Sequence, residues 1–207
     1  MNKDIARAAR ILRSGGLVAF PTETVYGLGA DASSASAIAK LYAVKRRPAD
    51  HPVIVHFASA DAAFGWAHEV PESARKLAKA FWPGPLTLVL PGGSGRLPDM
   101  LRGPDGGIAV RWTSHQAIAA LVAALGSPLT STSANIPGQP PGPGADAIAR
   151  DFAPAVASGQ LLILDGGVLG NRPPSTVVDC TRPQAQIVRE GTLSVHELRR
   201  AVGRLAP

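Results

Sequence analysis

Short apolar runs bounded by glycine, proline or polar residues recur along this chain, and segments with helical spacing of apolar residues lie between them. The runs LVAF at 17–20, VIVHF at 53–57 and PLTLVLP at 85–91 are typical of buried strands. Residues 3–13 and 34–46 repeat apolar side chains at the spacing of amphipathic helices. Because strands and helices intermix, with strand following strand late in the chain, the pattern predicts an α/β fold with α+β-like mixed character: a twisted mixed β-sheet with flanking helices.

The same criteria place the remaining elements. Further strands are predicted at 107–112, 129–133, 161–164, 175–180 and 186–190, and further helices near 59–68, 71–81, 114–125, 145–152 and 194–204. The stretch GLVAFPTETVYGLGAD, 16–31, is interpreted as a strand, a proline-led turn and a glycine-rich entry to a helix. With 207 residues, the length favours one domain over 1–207.

Charge and cysteine content narrow the class of protein. The formal net charge of +6 favours an anionic partner such as a nucleotide, polyphosphate or RNA, although solubility alone would also explain it. The one cysteine, Cys180, excludes an internal disulfide and a cysteine-type structural zinc site. The sequence has no apolar run of membrane-spanning length and no signal-peptide pattern at its start, so we expect a cytoplasmic protein.

Several well-known catalytic motifs are missing from the sequence. It lacks G-x-x-x-x-G-K-[ST], G-x-G-x-x-G, H-E-x-x-H and G-x-S-x-G. These absences argue against a Walker-type nucleotide site, a dinucleotide fold, a protein-held catalytic metal and a hydrolase nucleophile elbow.

Polar residues instead gather at the ends of predicted strands, where open α/β sheets bind ligands. They are Thr22-Glu23-Thr24, His56, Arg111, Ser131-Thr132-Ser133 with Asn135, Ser175-Thr176 and Arg189. Taken singly, a histidine within a strand is more often a core residue, and an arginine at a strand end is usually solvated. Their recurrence at strand after strand favours a binding site.

The run Lys45-Arg46-Arg47 allows two interpretations. Cations at a helix C-terminus stabilise the helix by about 0.3–1 kcal/mol each, which would be reason enough for the run. However, Lys45 and Arg47 cannot both lie along the helix face that Ile38 and Leu41 bury. A lysine point charge beside an arginine fork suits polyphosphate.

Motifs along nearly the whole chain resemble the YrdC-domain family, in particular its short-form threonylcarbamoyl-AMP synthases. They are PTETVYGLG at 21–29, KRRP at 45–48, HPVIVHF at 51–57, FWPGPLTLVLP at 81–91, SAN at 133–135, LDGG at 164–167 and STVVD at 175–179. The resemblance implies a YrdC-like fold with a concave basic face. It also implies a reaction in which L-threonine, bicarbonate and ATP give threonylcarbamoyl-adenylate and pyrophosphate, for threonylcarbamoyladenosine modification of tRNA.

The resemblance further implies which residues act. The threonine site would fall on Thr24, His56, Arg111, Ser131 and Ser175, and the ATP site on Lys45, Arg47, His51, Gly107, Ser133, Asn135 and Arg189, with Lys45 and Arg47 as the catalytic pair. Mg²⁺ would arrive with ATP rather than in a protein-held site. The expected partners are separate tRNA threonylcarbamoyl-transfer proteins, with tRNA or double-stranded RNA as a further binding partner and no membrane.

Two alternatives remain open. The same fold could serve as a double-stranded RNA or tRNA-binding module without adenylating activity, although the K-x-R and S-x-N motifs are polar groups that such a module would not need. A carbamoyl-transfer role would resemble that of the YrdC-like domain of hydrogenase maturation proteins, which lies within much longer chains.

The Pro/Gly-rich segment 136–144 is a candidate lid over ATP.

Overall fold

A computed structural model describes residues 2–48, 51, 53–92, 97–103, 105–170 and 172–206. The helices of this part are α1 (Asn2–Arg13), α2 (Ala35–Lys45), α3 (Ala60–Phe64), α4 (Glu72–Phe81), α5 (Gln116–Leu125), α6 (Ala145–Asp151), α7 (Ala153–Ala157) and α8 (Val195–Val202), with a 3-10 helix at Asp99–Leu101. The strands are β1 (Leu17–Phe20), β2 (Gly27–Gly29), β3 (Ile54–His56), β4 (Leu86–Leu90), β5 (Ile108–Arg111), β6 (Leu129–Ser133), β7 (Leu161–Ile163), β8 (Thr176–Asp179) and β9 (Gln186–Arg189).

The nine strands form one mixed sheet in the order β7-β1-β2-β6-β3-β5-β4-β8-β9. Parallel pairing joins β1 to β7, β3 to β5 and β4 to β8, and the other neighbours pair antiparallel. The predicted mixed sheet with flanking helices is therefore confirmed. Among the described helices, none is long and apolar enough to cross a membrane.

The structure departs from the predicted elements at three places. The glycine-rich segment Gly27–Gly29 is strand β2 and not the entry to a helix, because it pairs on both sides, with β1 and β6. The helix predicted over 145–152 is confirmed as α6, but the separate helix α7 after it, with proline in its first turn, was not predicted. The helix predicted near 59–68 covers only Ala60–Phe64.

Glycine in β2 allows an unusually close approach between strands. A Cβ atom built on Gly29 would lie 2.1 Å from the backbone oxygen of Thr130, and one on Gly27 would lie 2.4 Å from the ring of Phe20. No larger residue fits without moving backbone or a buried ring. These glycines thus allow the backbones of β2 and β6 to pass close to one another.

Two-residue alternation gives the central strands two different faces. Leu86, Leu88 and Leu90 of β4 pack into the core beneath α3, α4 and α8, whereas Thr87 and Val89 point to the opposite side and line a cavity. β1 is buried on both faces, with α1 and α5 on one side and α2 and α6 on the other. The central sheet therefore has one face in the core and one face available to a ligand.

Gly29→Ala should lower the free energy of unfolding by about 1–3 kcal/mol, since the new methyl group would overlap the Thr130 backbone. Thermal or urea denaturation followed by circular dichroism measures this change. Gly170→Ala is the control, because its Cβ would meet no described atom within 4 Å. Equal stability of the two variants would contradict the close-approach argument.

Candidate active site

A cavity of about 330 Å³ lies on the open face of the sheet. Its floor consists of residues two apart on neighbouring strands, so the binding surface is the face of the sheet as well as the strand ends predicted from the sequence. The polar lining residues are Thr22, Thr24, Tyr26, Arg47, Thr87, Arg111, Ser131, Thr132, Ser133, Ser175 and Arg189.

Three guanidinium groups, those of Arg47, Arg111 and Arg189, share this wall, and the described lining includes no aspartate or glutamate. Burial lowers the pKa of Arg189, and the positive charges of Arg111 and Arg47 lower it further. Guanidinium groups remain protonated at any pH relevant to proteins. The cavity is therefore suited to an anionic ligand.

Arg111 is held at the end of β5 by contacts from two loops. Its Nε donates a hydrogen bond to the backbone oxygen of Gly84 at 3.0 Å, and its Nη2 lies 2.8 Å from Oε1 of Glu23. The Glu23 contact is an ion pair without hydrogen-bond alignment, and Nη2 has no aligned acceptor among the described residues. Nη2 is therefore covered by Glu23, and Arg111 contributes its positive charge to the cavity that it lines.

The carboxylate of Glu23 is saturated with partners. The hydroxyl of Thr113 donates to Oε2 at 2.6 Å, and the backbone N–H and hydroxyl of Ser114 donate to Oε1 at 3.2 Å each. Burial alone would raise the pKa of Glu23, but the charge of Arg111 and the Thr113 hydrogen bond outweigh it and lower the pKa to about 2. Glu23 is therefore a fixed negative charge near neutral pH.

Small hydroxyls complete the wall. Thr22 Oγ1 accepts from the backbone N–H of Thr24 at 3.1 Å and lies 2.9 Å from the Thr24 hydroxyl, which fixes the turn after β1. The hydroxyls of Thr87 and Ser175 are 2.9 Å apart, and Arg189 Nη2 donates to the Ser175 backbone oxygen at 2.9 Å. Residues from β4, from β9 and from the position just before β8 thereby form one connected polar surface.

Lys45 and Asn135, from two separate sequence motifs, bind each other. The buried Nζ of Lys45 donates to the backbone oxygen of Asn135 and to its side-chain Oδ1 at 2.7 Å. Burial and the charge of Arg47 lower the pKa of Lys45 to about 8, against the opposing effect of Asp151. The Asn135 amide in turn donates to the backbone oxygens of Ile136 and Gln139, so this contact ties α2 to the start of the 136–144 segment.

A second cavity of about 640 Å³ adjoins the first and shares Thr24, Tyr26, Ser133 and Arg189 with it. Its outer wall is formed by 140–143 and 169–174 in the described residues. The Pro/Gly-rich segment thus borders the site.

Comparison with known proteins places this geometry in a family. Residues 10–191 match the Sua5/YciO/YrdC family, described as "Telomere recombination". The chain belongs to the Sua5/YciO/YrdC family. Among its relatives, a threonylcarbamoyl-AMP synthase of Pyrococcus abyssi is 41% identical over 198 residues, which are 96% of this chain and 57% of the relative.

Two further similarities extend this result. A threonylcarbamoyl-AMP synthase of Xanthomonas oryzae is 37% identical over 185 residues, 88% of this chain and 95% of that protein. The structure of P. abyssi Sua5 complexed with L-threonine superposes with a TM-score of 0.89 at 42% identity, covering 97% of this chain and 58% of that one. The chain thus spans little more than half the length of its P. abyssi relative.

The residues predicted for the Sua5/YciO/YrdC site fall into two groups. Thr24, Arg47, Arg111, Ser131, Ser133, Ser175 and Arg189 line the first cavity, whereas Lys45, His51, His56, Gly107 and Asn135 do not. His51 instead presents its backbone oxygen to Arg47 Nε at 2.9 Å and to the Tyr42 hydroxyl at 3.1 Å.

His56 and Gly107 adjoin residues of the cavity wall without lining the cavity. His56 is the cross-strand neighbour of Arg111 and is covered by the edge of the Phe20 ring, with its Nδ1 unpartnered among the described residues. Burial and Arg111 lower the pKa of His56 to about 3, against the effect of Glu23, so it is neutral. Gly107 packs against Val89 and Thr181.

Sequence reasoning missed two contributors and understated a third. Thr87 was not singled out, although a threonine between leucines in PLTLVLP marks the open face of β4. Thr113 was overlooked as a ligand of Glu23, and Glu23 was expected only to lie near the site. Their partners are about ninety residues away in sequence, beyond the reach of any local pattern.

Lowering the pH should weaken the stabilising contact between Glu23 and Arg111. A carboxyl group whose pKa falls on folding stabilises the protein above its unfolded pKa of about 4.5 and loses that effect as the pH falls through about 2. Glu23→Gln should therefore be about 3 kcal/mol less stable than the parent near neutral pH, with the gap closing between about pH 4.5 and 2. Urea denaturation across this pH range measures the gap.

Glu72→Gln provides the exposed control, since Glu72 forms a surface ion pair with Lys76 at 2.7 Å. Such pairs contribute little to stability. A Glu23→Gln gap independent of pH would contradict the assignment of a buried, ionised carboxylate.

Proposed function

We propose that this chain is a threonylcarbamoyl-AMP synthase, which forms threonylcarbamoyl-adenylate and pyrophosphate from L-threonine, bicarbonate and ATP. The observation that carries the proposal is the cavity with three guanidinium groups above a hydroxyl-lined sheet face. Its family membership and relatives named threonylcarbamoyl-AMP synthase support the same function.

Threonine would bind at the Arg111 end of the cavity. The guanidinium of Arg111 would bind its carboxylate, and the hydroxyls of Thr24, Ser131 and Ser175 would contact its polar groups. His56 would support Arg111 from the side, as its buried cross-strand neighbour. The P. abyssi relative complexed with L-threonine supports the choice of amino acid.

ATP would place its phosphates beside Arg47 and Arg189 and extend into the adjoining cavity past Ser133. Lys45 would reach the phosphates by exchanging its contacts with Asn135, and a triphosphate would restore the full charge that burial weakens. His51 and Gly107 would act through the backbone, the former by holding Arg47. Mg²⁺ would be carried by phosphate oxygens and water, since the described wall offers hydroxyls and guanidinium groups.

The chemistry requires positioning and charge neutralisation more than a protein nucleophile. The threonine amine attacks carbon dioxide derived from bicarbonate, an N–C bond forms, and the nitrogen gives up a proton to solvent. A carbamate oxygen then attacks the α-phosphorus, and the bond to the leaving pyrophosphate breaks. Lys45, Arg47 and Arg189 would stabilise the charge on pyrophosphate as it leaves.

The product would serve threonylcarbamoyladenosine formation in tRNA, with separate transfer proteins as partners.

The segment 136–144 would close over ATP as a lid, because it borders the second cavity and is tied to Lys45 through Asn135. Limited proteolysis of this segment should slow when ATP and threonine are present together. Identical cleavage with and without them would argue against closure.

Pyrophosphate release from ATP tests the function directly. Release should require threonine and bicarbonate, so omitting either should reduce it to background, and mass spectrometry should detect threonylcarbamoyl-adenylate. Release that is independent of threonine would rule out the proposed reaction.

Arg47→Ala should reduce kcat/KM for ATP by about a hundredfold or more, because a guanidinium that contacts phosphate is lost. Arg46→Ala is the matched control, since the neighbouring Arg46 is exposed and lies outside the cavity. Steady-state kinetics with varied ATP measure both variants. Equal losses in the two would show that Arg47 acts only through net charge.

RNA binding is a second candidate function, favoured by the net charge of +6. Binding through phosphates should weaken steeply between low and physiological salt. A gel-shift titration with tRNA and double-stranded RNA at two salt concentrations tests it, and absence of a shift at low salt would remove it.

A further inference from the structure

Glu23 stands directly behind the cavity wall and does not itself line the cavity. Its side chain is 15% exposed, and both of its oxygens are held by the segment that joins β5 to α5. The turn after β1 therefore places one immobilised carboxylate in contact with the Arg111 guanidinium.

Glu23 is unsuited to proton transfer. Three hydrogen bonds and an ion pair occupy its carboxylate, and its pKa of about 2 makes it a very weak base. Its influence on the site must therefore act through charge and through the orientation of Arg111.

Two of the arginines that line the cavity differ as a result. Arg111 has a full negative charge at 2.8 Å, whereas Arg189 donates to neutral acceptors, the Ser175 backbone oxygen at 2.9 Å and the Ser175 hydroxyl at 3.3 Å. A guanidinium already paired with a carboxylate attracts a further multivalent anion less than one bonded to neutral groups. Arg189 is thus the more attractive of the two for phosphate.

We propose that Glu23 is a positioning and specificity-determining residue, which directs Arg111 toward the cavity and reserves it for the singly charged carboxylate of the amino acid. Phosphate groups are thereby directed to Arg189 and Arg47, and ATP does not compete for the position of the amino-acid carboxylate. This inference rests on the proposed function for the identity of the two substrates.

The test compares Glu23→Gln with the parent chain in threonine kinetics and in inhibition by inorganic pyrophosphate. The KM for threonine should rise about tenfold or more while kcat changes less than about threefold. Pyrophosphate should become competitive with threonine in the variant but not in the parent. A residue with a merely structural role would not create this new inhibition pattern.

Glu23→Asp retains the charge and should keep pyrophosphate from competing with threonine, even if its shorter side chain raises KM. Glu72→Gln, on the surface, should leave both measurements unchanged. If Glu23→Gln does not fold, Thr113→Val removes one hydrogen bond to Glu23 and should weaken threonine binding while phosphate exclusion persists.

An unchanged threonine KM together with an unchanged inhibition pattern in folded Glu23→Gln would overturn the inference. Failure of the proposed function would appear differently, as absence of pyrophosphate release by the parent chain. Calorimetric titration with threonine and with pyrophosphate needs no turnover. The titration would then still decide whether Glu23 makes Arg111 prefer a carboxylate to a phosphate.

Discussion

The guanidinium of Arg111 is buried within a nine-stranded sheet, where an uncompensated charge would cost several kcal/mol. Glu23 from the turn after β1 and the Gly84 backbone from the segment before β4 compensate it. Both loops are therefore held against β5, because each of them contacts the guanidinium of Arg111. The shape of the cavity follows from this constraint, because the turn after β1 also presents Thr22 and Thr24 to the ligand.

The two faces of the sheet differ, and this difference places the charge of Arg111 in a binding site. Leucines at alternate positions of β4 bury one face beneath helices, and the threonine between them leaves a polar group on the other. Because each strand changes face at every residue, a few small or polar side chains among aliphatic ones suffice to line a cavity without weakening the core. Stability and ligand binding are thus assigned to opposite faces of the same strands.

The contact between Lys45 and Asn135 links two elements that a nucleotide would have to join. A buried ammonium with a pKa near 8 is held in place by neutral oxygens, which satisfy its hydrogen bonds but not its charge. A phosphate group would satisfy both. This difference gives a physical reason for ATP to draw Lys45, and the segment that begins at Asn135, toward the cavity.

The order and type of nearly all helices and strands could be predicted from the sequence, because helical and strand periodicities are local properties of each segment. Residue chemistry likewise indicated an anionic ligand and, through the family resemblance, most of the cavity wall. Only the tertiary structure decided that Gly27–Gly29 is a strand, that His56 is buried against Phe20 without lining the cavity, and that Lys45 binds Asn135. Each depends on a partner far along the chain, and Glu23 obtained its fixed charge in the same way, from Arg111 and Thr113 about ninety residues away. Local sequence specifies which groups are available, whereas packing of distant segments specifies which groups meet and what charge they keep.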